Sequence, residues 1–139
     1  MNVFFVVLSG TLVFVLGQIA LRLFIEPWQR CRESIARVAY VLDRYPAVYS
    51  NPGVGTRESQ DVAAKEIREC VAELTYCAHG VPLYRVFVTL GALPRKTDIF
   101  AAQQQLIGLS NTVHNGSTDG LPGRLRTIKE SLGISPLAE

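Results

Sequence analysis

Charged side chains are absent from the start of this 139-residue chain, and the first is Arg22. A cleaved signal peptide has a basic region before its apolar stretch and small residues at its cleavage site, and neither is present here. A buried helix of a soluble protein usually has a shorter apolar run, of ~10–14 residues. The sequence therefore favours an uncleaved membrane anchor over a signal peptide or a soluble core helix.

The uncharged run from Val3 to Leu21 is long enough to cross a bilayer as one helix. At ~1.5 Å per residue it spans ~28 Å, close to the thickness of the hydrocarbon layer. We predict an all-α protein with three parts. Residues 1–27 form a transmembrane anchor, residues 28–135 a cytoplasmic bundle of about four helices, and residues 136–139 a frayed tail.

Basic residues flank the anchor on one side only. Arg22, Arg30, Arg32 and Arg37 follow it, whereas no Lys or Arg precedes it. Because basic residues next to a membrane span stay in the cytoplasm, we predict that the N-terminus is outside and the bulk of the chain is cytoplasmic. Arg22 can extend its side chain to the headgroups, and Trp28 lies where an interfacial aromatic residue is expected.

Cysteines are few, and their number is odd. Cys31, Cys70 and Cys77 show no spacing typical of a disulfide framework, which agrees with a reducing compartment. Cys70 and Cys77 are seven residues apart on one helical face, so we expect both to pack as small apolar residues. Cys77 and His79 lie close in sequence but lack a second ligand pair, so no metal site is predicted.

A basic excess and catalytic motifs are also missing. The formal net charge is +2, with acidic and basic residues interleaved, so no nucleic-acid partner is predicted. The chain has no nucleophile elbow, zinc-binding HExxH sequence, phosphate-binding loop or dinucleotide fingerprint. We therefore predict a protein that is not an enzyme and has no cofactor.

Apolar residues beyond the anchor follow a helical period in four segments, which lie within residues 29–44, 58–78, 98–113 and 121–132. Each segment has one apolar stripe with spacings of three and four residues, typical of an amphipathic helix. Strand-like alternation is not sustained anywhere in the sequence. The four stripes predict the four helices of the bundle.

The segment 81–93 is apolar on nearly every face, which is unusual for a surface helix. It is either a short helix buried in the bundle core or a helix that returns to the bilayer surface. The second interpretation follows from geometry, because the first bundle helix leads away from the membrane and the second returns by a similar length. In that case Tyr84, Arg85 and Phe87 lie at the membrane interface.

The same geometry places the loops 46–57 and 114–120 together at the end of the bundle away from the membrane. Such loops are a common place for binding, although two ordinary solvated turns would look the same. The residues that these loops and their edges offer to a partner or ligand are Tyr45, Tyr49, Asn51, Arg57, His114 and Asn115.

Within the anchor, Gly10 and Gly17 share one helical face, and Thr11 and Gln18 repeat the same spacing beside them. Small residues let helices approach closely, and an amide side chain can hydrogen-bond across a helix pair in the bilayer. We therefore predict that the anchor forms a homo-oligomer through this face. The alternative is that one Gln near the cytoplasmic end is simply tolerated.

Several stretches of the chain resemble a group of bacterial single-pass membrane-anchored small proteins of unknown function. These stretches include Val15–Gln18, Phe24–Pro27, Ile35–Tyr40, Tyr49–Pro52 and Leu106–Asn111. The resemblance implies a bacterial inner-membrane location and transfers no functional residues. Two functions remain open. One is a scaffold or regulatory subunit that tethers a cytoplasmic partner, and the other is an oligomeric effector that perturbs or permeates the bilayer in response to a signal.

Overall fold

The computed structural model describes residues 2–51, 55–115 and 118–134, and every regular element in these ranges is helical. The elements are α1 (Asn2–Ala20), a π-helical turn (Leu21–Ile25), α2 (Glu26–Arg44), α3 (Pro46–Ser50), α4 (Arg57–Gly80), α5 (Tyr84–Thr89), α6 (Lys96–Asn115) and α7 (Leu121–Leu132). This confirms the predicted all-α class. The four predicted bundle helices correspond to α2, α4, α6 and α7.

The N-terminal part of the chain is one continuous helix from Asn2 to Arg44, and no residue of α1 is buried. By length and composition this helix is able to cross a membrane. The predicted domain boundary at residue 27 lies inside it. Pro27 has no N–H to donate to the carbonyl four residues earlier, and the preceding turn is π-helical, with the Glu26 N–H donating to the Leu21 carbonyl.

The bundle is held by one buried stripe on each long helix. α4 packs between α2 and α6, and α6 packs between α4 and α7. The stripe of α4 is fully buried and consists of Ala63, Ile67, Cys70, Leu74 and Cys77. That of α6 is equally buried and consists of Ile99, Ala102, Leu106, Leu109 and Val113. Both stripes agree with the periodicity of the sequence.

Polar side chains fix the register between neighbouring helices. The Arg37 guanidinium of α2 binds the carboxylates of Glu69, at 3.1 Å, and of Glu73 on α4. Glu73 is the main reason that the pKa of Arg37 is raised. The nearly buried Gln103 of α6 donates from Nε2 to the Val71 carbonyl at 3.1 Å and to the Thr75 hydroxyl at 2.7 Å. These contacts join α2 to α4 and α4 to α6.

Two predicted loops are partly helical. Pro46 begins α3 instead of a loop, because a proline is tolerated at the first helical position, where its missing N–H has no partner to lose. α6 continues through His114 and Asn115, which the sequence assigned to a loop. The remainder of these two loops includes residues 52–54 and 116–117, which lie outside the described residues, as do the predicted tail residues 136–139.

Candidate functional site

The end of the bundle next to the anchor has an aromatic stack. The rings of Trp28 on α2 and Phe87 on α5 are 6.3 Å apart and nearly parallel, with an interplanar angle of 10°. The Arg32 guanidinium lies 5.7 Å from the centre of the Trp28 ring. The Trp28 Nε1 atom is buried without a hydrogen-bond partner among the described residues, so stacking and Arg32 hold the ring in place. The stack fixes α5 beside the first turns of α2.

A disulfide follows Trp28 about one helical turn further along α2. Cys31 of α2 is bonded to Cys77 of α4, and their Cα atoms are 4.8 Å apart, within the range for disulfides. Cys77 is buried in the core as predicted, but the expectation that the cysteines form no disulfide is wrong, because the register of α2 against α4 brings Cys77 to Cys31. The prediction that Cys70 packs as a small apolar residue is correct. Cys70 is a buried free thiol, and its burial raises its pKa to about 11, so it stays protonated.

The segment 81–93 has a buried side and an exposed side, which lie on opposite sides of α5. Tyr84 faces inward, and its hydroxyl donates to the Pro94 carbonyl at 2.7 Å. The membrane interpretation of the segment placed Tyr84 at the interface, whereas the structure places its ring in the core, as the alternative interpretation expected. Phe87 is half-buried against the core, and Arg85 is exposed.

The outer side of α5 is apolar and open. Leu83, Val86 and Leu90 are 61%, 49% and 74% exposed, respectively. Leu83 also has a left-handed backbone conformation with a φ of 52°, which costs an L-residue about 1–2 kcal/mol. The chain therefore keeps three large apolar side chains outside the core, one of them in a strained turn. Such exposed apolar clusters are typical of contact surfaces.

A groove opens between α2 and α7, the first and last long helices of the bundle. It has a volume of about 870 Å³. The buried side chains of Leu93 and Leu132 line its inner part, and the wall formed by α2 includes Ile35 and Ala39. The charged residues that line it are Arg32, Asp98 and Glu130. Because Arg32 also contacts Trp28, the groove begins at the stack of Trp28 and Phe87.

Two residues of the predicted distal site, Tyr45 and Tyr49, are held by hydrogen bonds within the bundle. Tyr49 is buried and donates to the Leu42 carbonyl at 2.7 Å, and the Tyr45 hydroxyl donates to Glu66 at 2.9 Å. Burial is the main reason that the pKa of both tyrosines is raised. His114 lies 3.7 Å from the carboxylate of Asp61. Asn51, Arg57 and His114 are exposed, and Asn115 is the last residue of α6.

The predicted association face of the anchor is free of contacts within the single chain. A Cβ atom added to Gly10 or Gly17 would have no heavy atom within 4 Å. Thr11 donates its hydroxyl to the Val7 carbonyl of its own helix at 2.9 Å, and Gln18 is exposed. Arg22, at the end of the anchor, is exposed in the π-helical turn. The face is therefore open to a second helix.

No group of three or more metal-binding side chains occurs in the part of the chain that the structure describes. No family of known proteins, no curated protein and no solved structure matches this chain. The resemblance to bacterial anchored proteins therefore stays a prediction, and the function has to be argued from the geometry.

Proposed function

We propose that this chain is a membrane-anchored interaction protein that tethers a partner protein to the membrane. In this proposal α1 crosses the bacterial inner membrane with its N-terminus outside, and the bundle in the cytoplasm holds the partner without performing chemistry. The basic residues that follow the anchor support this orientation. The disulfide Cys31–Cys77 favours an oxidising compartment instead, so the redox state of this pair in cells is a test of the orientation.

The observation that carries the proposal is the groove between α2 and α7. α2 packs chiefly against α4, and α7 packs chiefly against α6, so the two outer helices leave a side of the bundle open. An apolar inner surface with charged residues of both signs at its border suits a helix or extended segment of another protein. The groove starts beside Trp28, so a bound partner would be held close to the bilayer.

The tethering proposal can be tested by crosslinking in cells. A photoreactive amino acid replaces Ala36 in the groove of the full-length protein, and the matched control carries it at Glu33, which is exposed on another side of α2. We expect a specific protein to crosslink from Ala36 and not from Glu33. An additional Ala39→Arg substitution should fill the groove and remove the product. Identical products from both positions, or a product that Ala39→Arg does not change, would contradict the proposal.

The open face at Gly10 and Gly17 favours a second candidate, an oligomeric membrane effector. Gln18 is exposed on α1, and an amide within the hydrocarbon layer is stabilised by a partner helix. An effector should depolarise the membrane when it is overexpressed, whereas a tether should not. A membrane-potential dye in cells that express the full-length chain distinguishes the two functions.

A further inference from the structure

If α1 spans the membrane, the outer side of α5 lies at the level where the anchor leaves the hydrocarbon layer. The helix from Asn2 to Arg44 is continuous, and its apolar, exposed part ends at Ile25. Trp28 is three residues further on, which is about 4–5 Å along the helix axis. Phe87 stacks on Trp28, so α5 lies at the level of the lipid headgroups if the anchor spans the membrane.

Cations lie beside the apolar side of α5. Arg85, Arg95 and Lys96 line a groove of about 740 Å³ together with Leu83 and Val86. No acidic residue occurs between Val81 and Lys96. None of the three cations forms an ion pair within residues 2–51, 55–115 and 118–134, although the Lys96 ammonium lies 5.3 Å from the centre of the Tyr84 ring.

A basic cluster beside exposed apolar side chains matches the surface of a membrane that contains anionic lipids. We propose that α5 lies on the bilayer that holds the anchor. The side chains of Leu83, Val86 and Leu90 enter the boundary between headgroups and acyl chains, and the three cations bind the phosphates of anionic phospholipids. The inference rests on the proposed membrane span of α1, and it is independent of the partner groove.

The contact has a direct test in full-length protein reconstituted in nanodiscs with brominated lipids, which quench tryptophan fluorescence. Trp28→Phe provides the background, since phenylalanine can keep the stack on Phe87, and Leu90→Trp adds the reporter. The matched control is Val62→Trp, an exposed apolar position in the distal half of α4. Leu16→Trp, inside α1, reports separately whether the anchor is inserted.

We expect Leu90→Trp to be quenched in discs that contain phosphatidylglycerol and less in discs of pure phosphatidylcholine, with Val62→Trp quenched in neither. Arg95→Gln and Lys96→Gln should each weaken the dependence on phosphatidylglycerol by about fivefold, because a cation near an anionic surface contributes about that factor to binding. Lys65→Gln, on α4, should leave it unchanged. Circular dichroism of each variant verifies that the bundle is folded.

Three outcomes would overturn the inference. The first is a Leu90→Trp signal equal to that of Val62→Trp while Leu16→Trp is quenched, because the anchor is then inserted and α5 is away from the lipid. The second is equal quenching in both lipids. The third is a signal that depends on the number of protein copies per disc, which would identify a second copy as the occupant. Absence of quenching at Leu16 would instead contradict the proposed membrane span.

Discussion

Cleavage of the Cys31–Cys77 disulfide should strongly destabilise the bundle. The bond joins residues 46 positions apart in the sequence. Closing a loop of that length in the unfolded chain removes an entropy equivalent to about 4 kcal/mol at 25 °C. Both cysteines are buried in the core, so reduction leaves the two thiols in an apolar site without a large additional cost. The loss of stability is therefore mainly an effect on the unfolded chain.

The measurement is thermal unfolding of the full-length protein in detergent, followed by circular dichroism. We expect Cys31→Ala, or the addition of a reductant, to lower Tm by at least about 15 °C. Cys70→Ala is the matched control, since Cys70 is buried next to the same helices and forms no disulfide. The Cys70→Ala substitution should lower the free energy of unfolding by about 1 kcal/mol, comparable to the loss of one buried methyl group. The effect of reductant on Tm should be the same as in the unchanged protein.

Counting the free thiols tests the geometry and the compartment together. An oxidised protein should react with maleimide at Cys70 alone after denaturation, and a reduced protein at all three cysteines. If purified folded protein does not form the bond under mild oxidation, the register of α2 against α4 is wrong. If acid-quenched cells already contain the bond, the bundle lies in an oxidising compartment, and the predicted orientation is refuted.

The remaining predictions concern topology, assembly and packing. A reporter that is active only outside the cytoplasm should be silent when it is fused after Glu139, and activity would overturn the N-out orientation. Gly17→Ile should block the close approach of two anchor helices, which crosslinking of the full-length protein measures. Gln18→Leu should weaken the association of the helices by about 1 kcal/mol per partner. An oligomeric state that neither substitution changes would remove the support for the effector function. Gln103→Leu should cost about 1–2 kcal/mol in the same unfolding assay because it removes two hydrogen bonds between α4 and α6. Gln104→Leu, at an exposed position of α6, should leave the free energy of unfolding nearly unchanged. Equal losses of stability for the two variants would contradict the packing of Gln103 between α4 and α6.

Periodicity predicted the core well, because burial on a helix depends on spacing along a single segment. Val38 and Leu42 of α2, and Ile128 and Leu132 of α7, are all buried as their stripes predict. The end of α7 was also predictable. Gly133 adopts a left-handed conformation with a φ of 65°, which glycine accepts without strain, and it ends the helix there.

Features that depend on contacts between segments were not predictable in this way. Cys31 and Cys77 are far apart in the sequence, and their pairing follows from how α2 and α4 align. Tyr84 and Leu83 are adjacent, yet one is buried and the other is exposed, because α5 has the core on one side only. A segment that is apolar on all faces has no period to indicate which side turns inward. The core interpretation of residues 81–93 is correct for one side of α5, and the membrane interpretation stays a prediction for the other.

The π-helical turn determines how the anchor and the bundle are oriented about their common axis. It adds one residue to the helical repeat, which rotates α2 by about 100° relative to an uninterrupted α-helix. Pro27 favours this turn because it lacks the hydrogen-bond donor that an α-helix would need at that position. Trp28 and Arg32 follow on the same continuous helix and border α5 and the groove, respectively. A rotation of the anchor about its axis would therefore move residues of both proposed binding surfaces, because one continuous helix connects them.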